Sequence, residues 1–207
     1  PVFVEIDPDT LNMNPQAITK SIKQDFTRRD EGLFFGDVAR LAVGESPLTA
    51  CREPLGKLAA ILVVHQIGRP APMAELLKIA EQAGVPVVED AACAIGSEIT
   101  VDGGNNWQPV GRPLGAAACF SFHPRKVITT GEGGMITTAD AAIHKKVRMW
   151  RQHGMDLSSV ERHGESGDKK ETYVNTAGNC RMTDLQAAVG LEQLARLGEI
   201  VRHRRAI

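Results

Sequence analysis

Five short apolar runs divide the chain, and stretches with helical periodicity separate most of them. The runs cover residues 2–6, 59–64, 85–88, 116–122 and 135–138. Their apolar residues are nearly continuous and do not alternate with polar ones, which is typical of strands buried on both faces of a largely parallel sheet. We therefore predict five strands of one sheet.

Helical spacing of apolar residues recurs over residues 15–24, 74–83, 139–150 and 183–200. Strands that alternate with helices indicate βαβ units, so the expected fold class is α/β. Two segments lack this order. Residues 25–57 are predicted to form a long excursion between a helix and a strand, and residues 156–176 a second irregular stretch.

Composition and charge narrow the function classes. The 207 residues include 24 Lys and Arg and 25 Asp and Glu, a formal net charge of −1. This balance argues against a nucleic-acid-binding surface, and no apolar run approaches the ~20 residues of a membrane span. The four cysteines form no C-x-x-C pair and the six histidines lack metal-ligand spacing. We therefore expect no metal site and a reducing, cytoplasmic setting.

The first candidate site follows the third apolar run, where Glu89 and Asp90 precede Ala91, Ala92 and Cys93. Ligands of open α/β sheets bind beyond the carboxyl ends of the strands, which is where a functional carboxylate belongs. The alternative is that Asp90 only caps the segment that follows it.

The second candidate site begins at the end of the fourth run. Ser121, His123 and Lys126 come first, and the glycine-rich residues 131–134 with Glu132 come next. A lysine just beyond a hydrophobic strand can be partly desolvated, which frees its amine for Schiff-base chemistry. Ser121 and nearby backbone N–H groups could hold a phosphate. The alternative is a solvated surface lysine.

The third candidate site precedes the last helical pattern and contains Asn179, Arg181 and Thr183. Thr183 suits the N-cap position, and Asn179 and Arg181 could reach a phosphate or a carboxylate. The alternative is a capped helix start with a surface arginine.

Seven sequence blocks, in this order, resemble the DegT/DnrJ/EryC1/StrS family, whose members are pyridoxal-phosphate-dependent aminotransferases that act on nucleotide-linked keto sugars. The likeness covers nearly the whole chain except residues 25–57 and 156–176. The blocks are PVFVEID (1–7), VHQIGRPA (64–71), EDAA (89–92), FSFHPRK (120–126), GEGGM (131–135), RQHG (151–154) and NCRMTDLQAAVG (179–190).

The resemblance implies the fold of a fold-type I pyridoxal-phosphate-dependent transferase, with a mostly parallel sheet in a three-layer αβα large domain. It implies that Lys126 forms the internal aldimine and moves the proton between substrate and cofactor. Asp90 would pair with the pyridine nitrogen, so that the ring can act as an electron sink. Ser121 would bind the cofactor phosphate.

Further positions follow from the same resemblance. Asn179 would reach the phosphate of the neighbouring subunit's cofactor, which implies a homodimer with shared active sites. Ala92 and Cys93 would lie beside the cofactor, although many family members carry Gln where this chain has Cys93. His123, Glu132 and Arg181 complete a second group, expected at the substrate or at the subunit interface.

The resemblance also implies a larger protein. Residues 1–207 are expected to be the central part of the large domain, with a segment before them and a small domain after them. The implied activity is amino transfer, with glutamate as the expected donor. One alternative is a nucleotide-sugar dehydratase of the same fold, but that branch typically has His in place of the lysine. Another is a binding or regulatory homologue without catalysis. A third alternative is a nucleotide-binding module without pyridoxal phosphate, but this sequence lacks the glycine fingerprint of such modules.

Overall fold

A computed structural model describes residues 1–37, 56–156 and 172–207. Four of the five predicted strands and all four predicted helical regions are confirmed, with small shifts at their ends. The elements in chain order are α1 (Pro15–Asp25), β1 (Phe26–Arg29), β2 (Gly32–Phe35), β3 (Ile61–Val64), α2 (Met73–Ala83), β4 (Val87–Asp90), β5 (Glu98–Ile99), β6 (Gln108–Pro109), β7 (Ala117–Ser121), β8 (Gly134–Thr137), α3 (Ala141–Trp150), α4 (Asp184–Ala195) and α5 (Leu197–Arg205).

The central sheet has the order β3-β4-β7-β8. β3, β4 and β7 run parallel, and β8 returns antiparallel to β7. The helix α2 makes the crossover from β3 to β4, as a parallel pair requires. The predicted α/β class with a mostly parallel sheet is therefore confirmed.

One side of this sheet, the covered face, packs against α1 and α2. Its buried core includes Ile61 and Val63 from β3 and Val87 from β4. Met73 and Leu76 from α2 are 1% and 0% exposed in the same core. The helix α2 ends at Gly84, whose φ of 72° is the left-handed conformation that glycine adopts without strain.

The opposite side, the open face, carries Leu62, Val64, Asp90 and Cys119. The last three occupy paired register positions on neighbouring strands, so their side chains point the same way. Leu62 remains 58% exposed and Val64 38% exposed. The prediction that the strands are buried on both faces is therefore wrong for β3, because the described residues cover only one of its faces.

The predicted strand at residues 2–6 is also wrong. A strand exists only where its backbone groups pair with a neighbouring strand. Here the described residues contribute only an isolated antiparallel bridge between Ile6 and Met13. Val4 still packs against the core of the covered face. The apolar pattern of residues 2–6 thus reflects the packing of a segment that does not pair as a strand within the described residues.

The last helical pattern, predicted as one helix over residues 183–200, is two helices. The break lies at Arg196, whose ψ of −1° departs from helical geometry. Its N–H bonds to the carbonyl of Gln193 at 3.2 Å, a tighter i→i−3 contact that allows the axis to change direction. Thr183 caps the start of α4 as predicted, in a capping box with Gln186.

The excursion at residues 25–57 begins with the antiparallel hairpin of β1 and β2. The ring centroids of Phe26 and Phe35 lie 5.3 Å apart across the hairpin. Residues 38–55, with Cys51, lie outside the described residues, as do residues 157–171 of the second irregular stretch. Within the described chain, no helix is both long and apolar enough to cross a membrane.

Candidate active site

Asp90 is the last residue of β4 and points to the open face at the carboxyl end of the parallel strands. Its Oδ1 accepts a hydrogen bond from the backbone N–H of Ala92 at 2.9 Å. Across the described part of the chain, no donor is found for its second carboxylate oxygen. Asp90 therefore closes the turn with one oxygen, as the capping alternative requires, and retains an acceptor for a ligand.

Cys119 lies beside Asp90 in the sheet, because the two are register partners of β7 and β4. Burial raises the pKa of the Cys119 thiol, and the negative charge of Asp90 raises it further. The thiol is thus held in its neutral form next to the carboxylate. The floor of the site combines one charged acceptor with a small neutral side chain.

Lys126 reaches the same place from the loop after β7. Its Nζ donates to Sγ of Cys93 at 3.0 Å, and Cys93 lies in the turn that follows Asp90. The lysine backbone is held by a bond from its N–H to the carbonyl of His123 at 2.9 Å. The structure therefore brings the predicted lysine against the predicted carboxylate turn, although 33 residues separate the two side chains in contact.

The loop that carries Lys126 is closed at its base. The N–H of Phe122 donates to the carbonyl of Gly133 at 2.8 Å, and the hydroxyl of Thr129 donates to the carbonyl of Phe122 at 2.8 Å. A Cβ atom at Gly133 would collide with the hydroxyl of Thr130 and press on Met182. This close approach explains why one glycine of the 131–134 cluster is needed there.

Ser121 and His123 start this loop. The Ser121 hydroxyl accepts the N–H of His123 at 3.3 Å, which leaves its own proton free to donate. The His123 imidazole lies 3.9 Å from the Glu132 carboxylate, but Glu132 is 76% exposed. An exposed pair of this kind contributes little to stability, so both side chains remain available to a ligand or a partner.

Asn179 and Arg181 form a separate group before α4. Oδ1 of Asn179 accepts from Nε of Arg181 at 3.0 Å, and the arginine also approaches the His153 ring at 3.5 Å. No hydrogen bond or ion pair within residues 1–37, 56–156 and 172–207 joins this group to Lys126 or Asp90. One link leads towards it: Nε2 of Gln186 in α4 donates to the carbonyl of Glu132 at 2.9 Å.

Sequence reasoning missed the partnership of His65 with Glu89. Both residues are 1% exposed, and their polar atoms meet at 3.1 Å beneath the site. A signal was present in the sequence: strand alternation turns Glu89 away from Asp90 and towards the core. What the sequence could not supply was the partner, since His65 is 24 residues away.

The chain is similar to known proteins in sequence and in overall fold. The model of the DegT/DnrJ/EryC1/StrS aminotransferase family matches residues 1–207. The uncharacterized protein MJ1066 of Methanocaldococcus jannaschii is 33% identical over 205 residues, 99% of this chain and 43% of that protein. A crystal structure of a DegT DnrJ EryC1 StrS aminotransferase from Brucella abortus is 28% identical, with a TM-score of 0.67 over 96% of this chain and 42% of its own. DesI, solved in the presence of its TDP-sugar product, is 29% identical, with a TM-score of 0.63 over 99% of this chain and 40% of its own.

The chain spans less than half the length of these relatives. Its mixed, mostly parallel sheet is that of the fold-type I aminotransferases, so the predicted fold is confirmed. The aminotransferases of the matched family depend on pyridoxal phosphate. The chain belongs to the DegT/DnrJ/EryC1/StrS aminotransferase family.

Proposed function

We propose that the protein acts as a pyridoxal-phosphate-dependent aminotransferase on a nucleotide-linked keto sugar, with Lys126 as the residue that attaches the cofactor. The observation that carries the proposal is the contact of Lys126 Nζ with Cys93 Sγ at 3.0 Å. It brings the only predicted attachment amine to the turn that begins at Asp90. Both lie at the carboxyl ends of the parallel strands, where ligands of α/β sheets bind.

The residues present fit the cofactor. The second carboxylate oxygen of Asp90 is an acceptor suited to a protonated ring nitrogen. The half-buried Ser121 hydroxyl keeps a donor for a phosphate oxygen. Ala92 and Cys93 offer small side chains beside them, which leave room for a planar ring. Asn179 would serve a phosphate from across a subunit boundary, since its Nδ2 donors remain when Oδ1 accepts from Arg181.

When bound, pyridoxal phosphate supplies an electron sink that stabilises negative charge on the reacting carbon. The chain's own residues supply the rest. Lys126 provides the amine for attachment and then holds or moves a proton near the reacting carbon. Asp90 favours the protonated ring nitrogen through its fixed charge. Cys93 contributes a thiol where many relatives carry an amide, so its polar contact with the cofactor would be weaker.

The sugar substrate and the dimer belong to the proposal as well. DesI, at 29% identity, was solved with its TDP-sugar product, which supports a nucleotide-sugar substrate class for this chain. Glutamate is the amino donor we expect. We place His123, Glu132 and Arg181 at the substrate or at the boundary of a homodimer with shared sites, because all three are accessible and polar. The setting we propose is the cytoplasm.

Covalent attachment of the cofactor tests the proposal first. The protein is mixed with pyridoxal phosphate, reduced with borohydride and digested, and the modified peptide is identified by mass spectrometry. We expect the modification on Lys126 and its complete loss in Lys126→Ala. Lys145→Ala is the matched control, because Lys145 is an exposed lysine on α3. Modification elsewhere, or equal modification of both variants, would contradict the assignment.

Amino transfer is tested next. With glutamate alone, the absorbance of the bound cofactor should change to that of the pyridoxamine form. Addition of a nucleotide-linked keto sugar should then restore the first spectrum and yield an amino sugar. A dehydrated sugar product would favour the dehydratase alternative. Cofactor attachment without reaction with any amino donor would favour a non-catalytic homologue.

A further inference from the structure

Two ionisable side chains lie buried directly beneath the candidate site. His65 follows β3 and Glu89 lies in β4, and each is 1% exposed. Nε2 of His65 is 3.1 Å from Oε2 of Glu89. Burying such groups is costly unless their hydrogen-bonding capacity is met. An apolar pair of similar size would fill this space without that cost. Stability alone therefore does not account for the pair.

Hydrogen bonds define the state of the pair. Nδ1 of His65 accepts the N–H of Ala71 at 3.0 Å, so the ring proton lies on Nε2 and is donated to Glu89. Oε1 of Glu89 accepts from the N–H groups of Leu114 and Gly115 at 2.8 and 2.7 Å. Three N–H groups thus converge on the carboxylate, which accepts them all as an ionised group would. The arrangement pairs a histidine that donates from Nε2 with a carboxylate whose two oxygens together accept three N–H groups of the protein.

The pair fixes three neighbouring segments relative to one another. Ala71 belongs to the loop after β3, Glu89 to β4, and Leu114 and Gly115 to the residues that lead into β7. The loop after β3 is itself held by the buried side chain of Asn12, whose Nδ2 donates to the carbonyls at residues 69 and 70. The anchor points of His65 and Glu89 are therefore backbone groups in a well-bonded setting.

Asp90 is connected to this network in two ways, along the chain and through a hydrogen bond between neighbouring strands. It is the residue directly after Glu89, and its carbonyl accepts the backbone N–H of His65 at 3.0 Å. His65 thus bonds through its side chain to one residue of β4 and through its backbone to the next. Because side chains alternate along a strand, this fixes Glu89 towards the covered face and Asp90 towards the open face.

From this geometry, and resting on the proposed function, we propose that His65 and Glu89 are positioning residues that hold the Asp90 carboxylate against the cofactor's ring nitrogen. They act from the covered face and do not touch the cofactor. Supporting bonds of this kind are what keep a functional group within the narrow range of geometry that a strong charged contact needs. Loss of the pair should weaken the Asp90 contact selectively, beyond any loss of stability.

A cofactor analogue separates the two effects. We would measure the dissociation constants of pyridoxal phosphate and of its 1-deaza analogue, in which carbon replaces the ring nitrogen. The ratio of the two constants reports the contribution of the ring nitrogen, and the change of this ratio in Asp90→Asn reports the Asp90 contact. The unaltered protein should prefer pyridoxal phosphate by about tenfold or more, the range of a hydrogen bond between charged groups. Asp90→Asn should remove most of that preference.

Glu89→Gln is the decisive variant. It keeps the volume of the side chain but places an amide NH2 group where a carboxylate oxygen now accepts N–H groups. The preference for pyridoxal phosphate over the deaza analogue should therefore fall at least about threefold. Leu76→Ala is the matched control: it weakens the same covered face but removes no hydrogen bond of the network, so its preference should stay at the unaltered value. A folded Glu89→Gln protein with an unaltered preference would overturn the positioning role.

Two further measurements protect the test against loss of folding. His65→Gln removes the histidine bond and leaves Glu89 its two backbone donors, so the preference for pyridoxal phosphate over the deaza analogue should again fall. In the unaltered protein, the Nε2–H resonance of nitrogen-labelled His65 should move when pyridoxal phosphate binds and move less with the deaza analogue. Identical movement with both ligands would overturn the proposal. Failure of the unaltered protein to bind either ligand would instead overturn the proposed function, and with it this role.

Discussion

The covered and open faces of the central sheet share the same strands but differ in what surrounds them. On the covered face, apolar side chains such as Val63 pack against α1 and α2 and are fully buried. On the open face, Leu62 from the same strand is 58% exposed and Asp90 keeps an acceptor without a partner in the described residues. Alternating positions of these short strands therefore pack on the covered face and leave side chains accessible on the open face.

The difference shows how a fold can hold a reactive group in place. In our proposal, the residues that position the Asp90 carboxylate lie on the covered face, opposite to the face that carries it. The buried polar side chains of His65 and Glu89 pair beneath the site, and the backbone N–H of His65 donates to the carbonyl of Asp90. The face that packs the core is thus distinct from the face that carries the candidate site. Substitutions on the covered face should mainly change stability, and substitutions on the open face should mainly change ligand binding.

The largest expected contrast is between two leucines. Leu76 is 0% exposed in the covered face and Leu62 is 58% exposed on the open face. Leu76→Ala should lower the free energy of unfolding by about 2–5 kcal/mol, because it leaves a cavity. Leu62→Ala should lower it by less than about 1 kcal/mol. Urea unfolding followed by circular dichroism measures both, and equal losses would show that the open face is covered in solution.

A smaller contrast is expected between adjacent carboxylates. Glu89→Gln should lower the free energy of unfolding by about 1–3 kcal/mol, because a buried donor loses its acceptor. Asp90→Asn keeps an oxygen for the N–H of Ala92 and should change stability by less than about 0.5 kcal/mol. The same unfolding measurement checks both values. If Asp90→Asn proved the more destabilising change, the assignment of the two residues to opposite faces would be wrong.

The smallest expected effect concerns thiols. Burial, and then the charge of Asp90, raise the pKa of Cys119, so less of it is thiolate at a given pH and it should react slowly with iodoacetamide. The exposed Cys180 is the internal control. Asp90→Asn removes the second cause, lowers the pKa of Cys119 and should speed its alkylation by a few-fold at pH 8. Peptide mass spectrometry over time gives both rates; an unchanged Cys119 rate would count against contact with Asp90.

Much of the site was predictable because its parts are local in sequence. Asp90 and Ser121 end two apolar strands, and Lys126 lies in the loop after the second. Apolar runs alone predict these strands, whereas the roles expected of the three residues follow from the family resemblance. The Lys126–Cys93 contact was not predictable from periodicity, because it depends on which strands become neighbours. Two predictions failed for related reasons: residues 2–6 have a strand pattern without a pairing partner in the described chain, and the burial of β3 depends on what covers each face. Local pattern does not contain either kind of information.

The antiparallel return of β8 has a consequence for how this site can change. Lys126 lies in a loop that leaves β7 at Phe122 and returns at Gly133, just before β8. The N–H of Phe122 donates to the carbonyl of Gly133, and the N–H of Thr130 donates to the carbonyl of Phe122. Because closure entropy rises by only ~0.6 kcal/mol for each doubling of loop length, the fold would tolerate a longer loop. The position of the Lys126 amine would not tolerate it, because each added residue makes the distance between this amine and the Asp90 turn more variable. The length of this loop should therefore be restricted by the position that Lys126 must occupy, and not by the stability of the sheet that supports it.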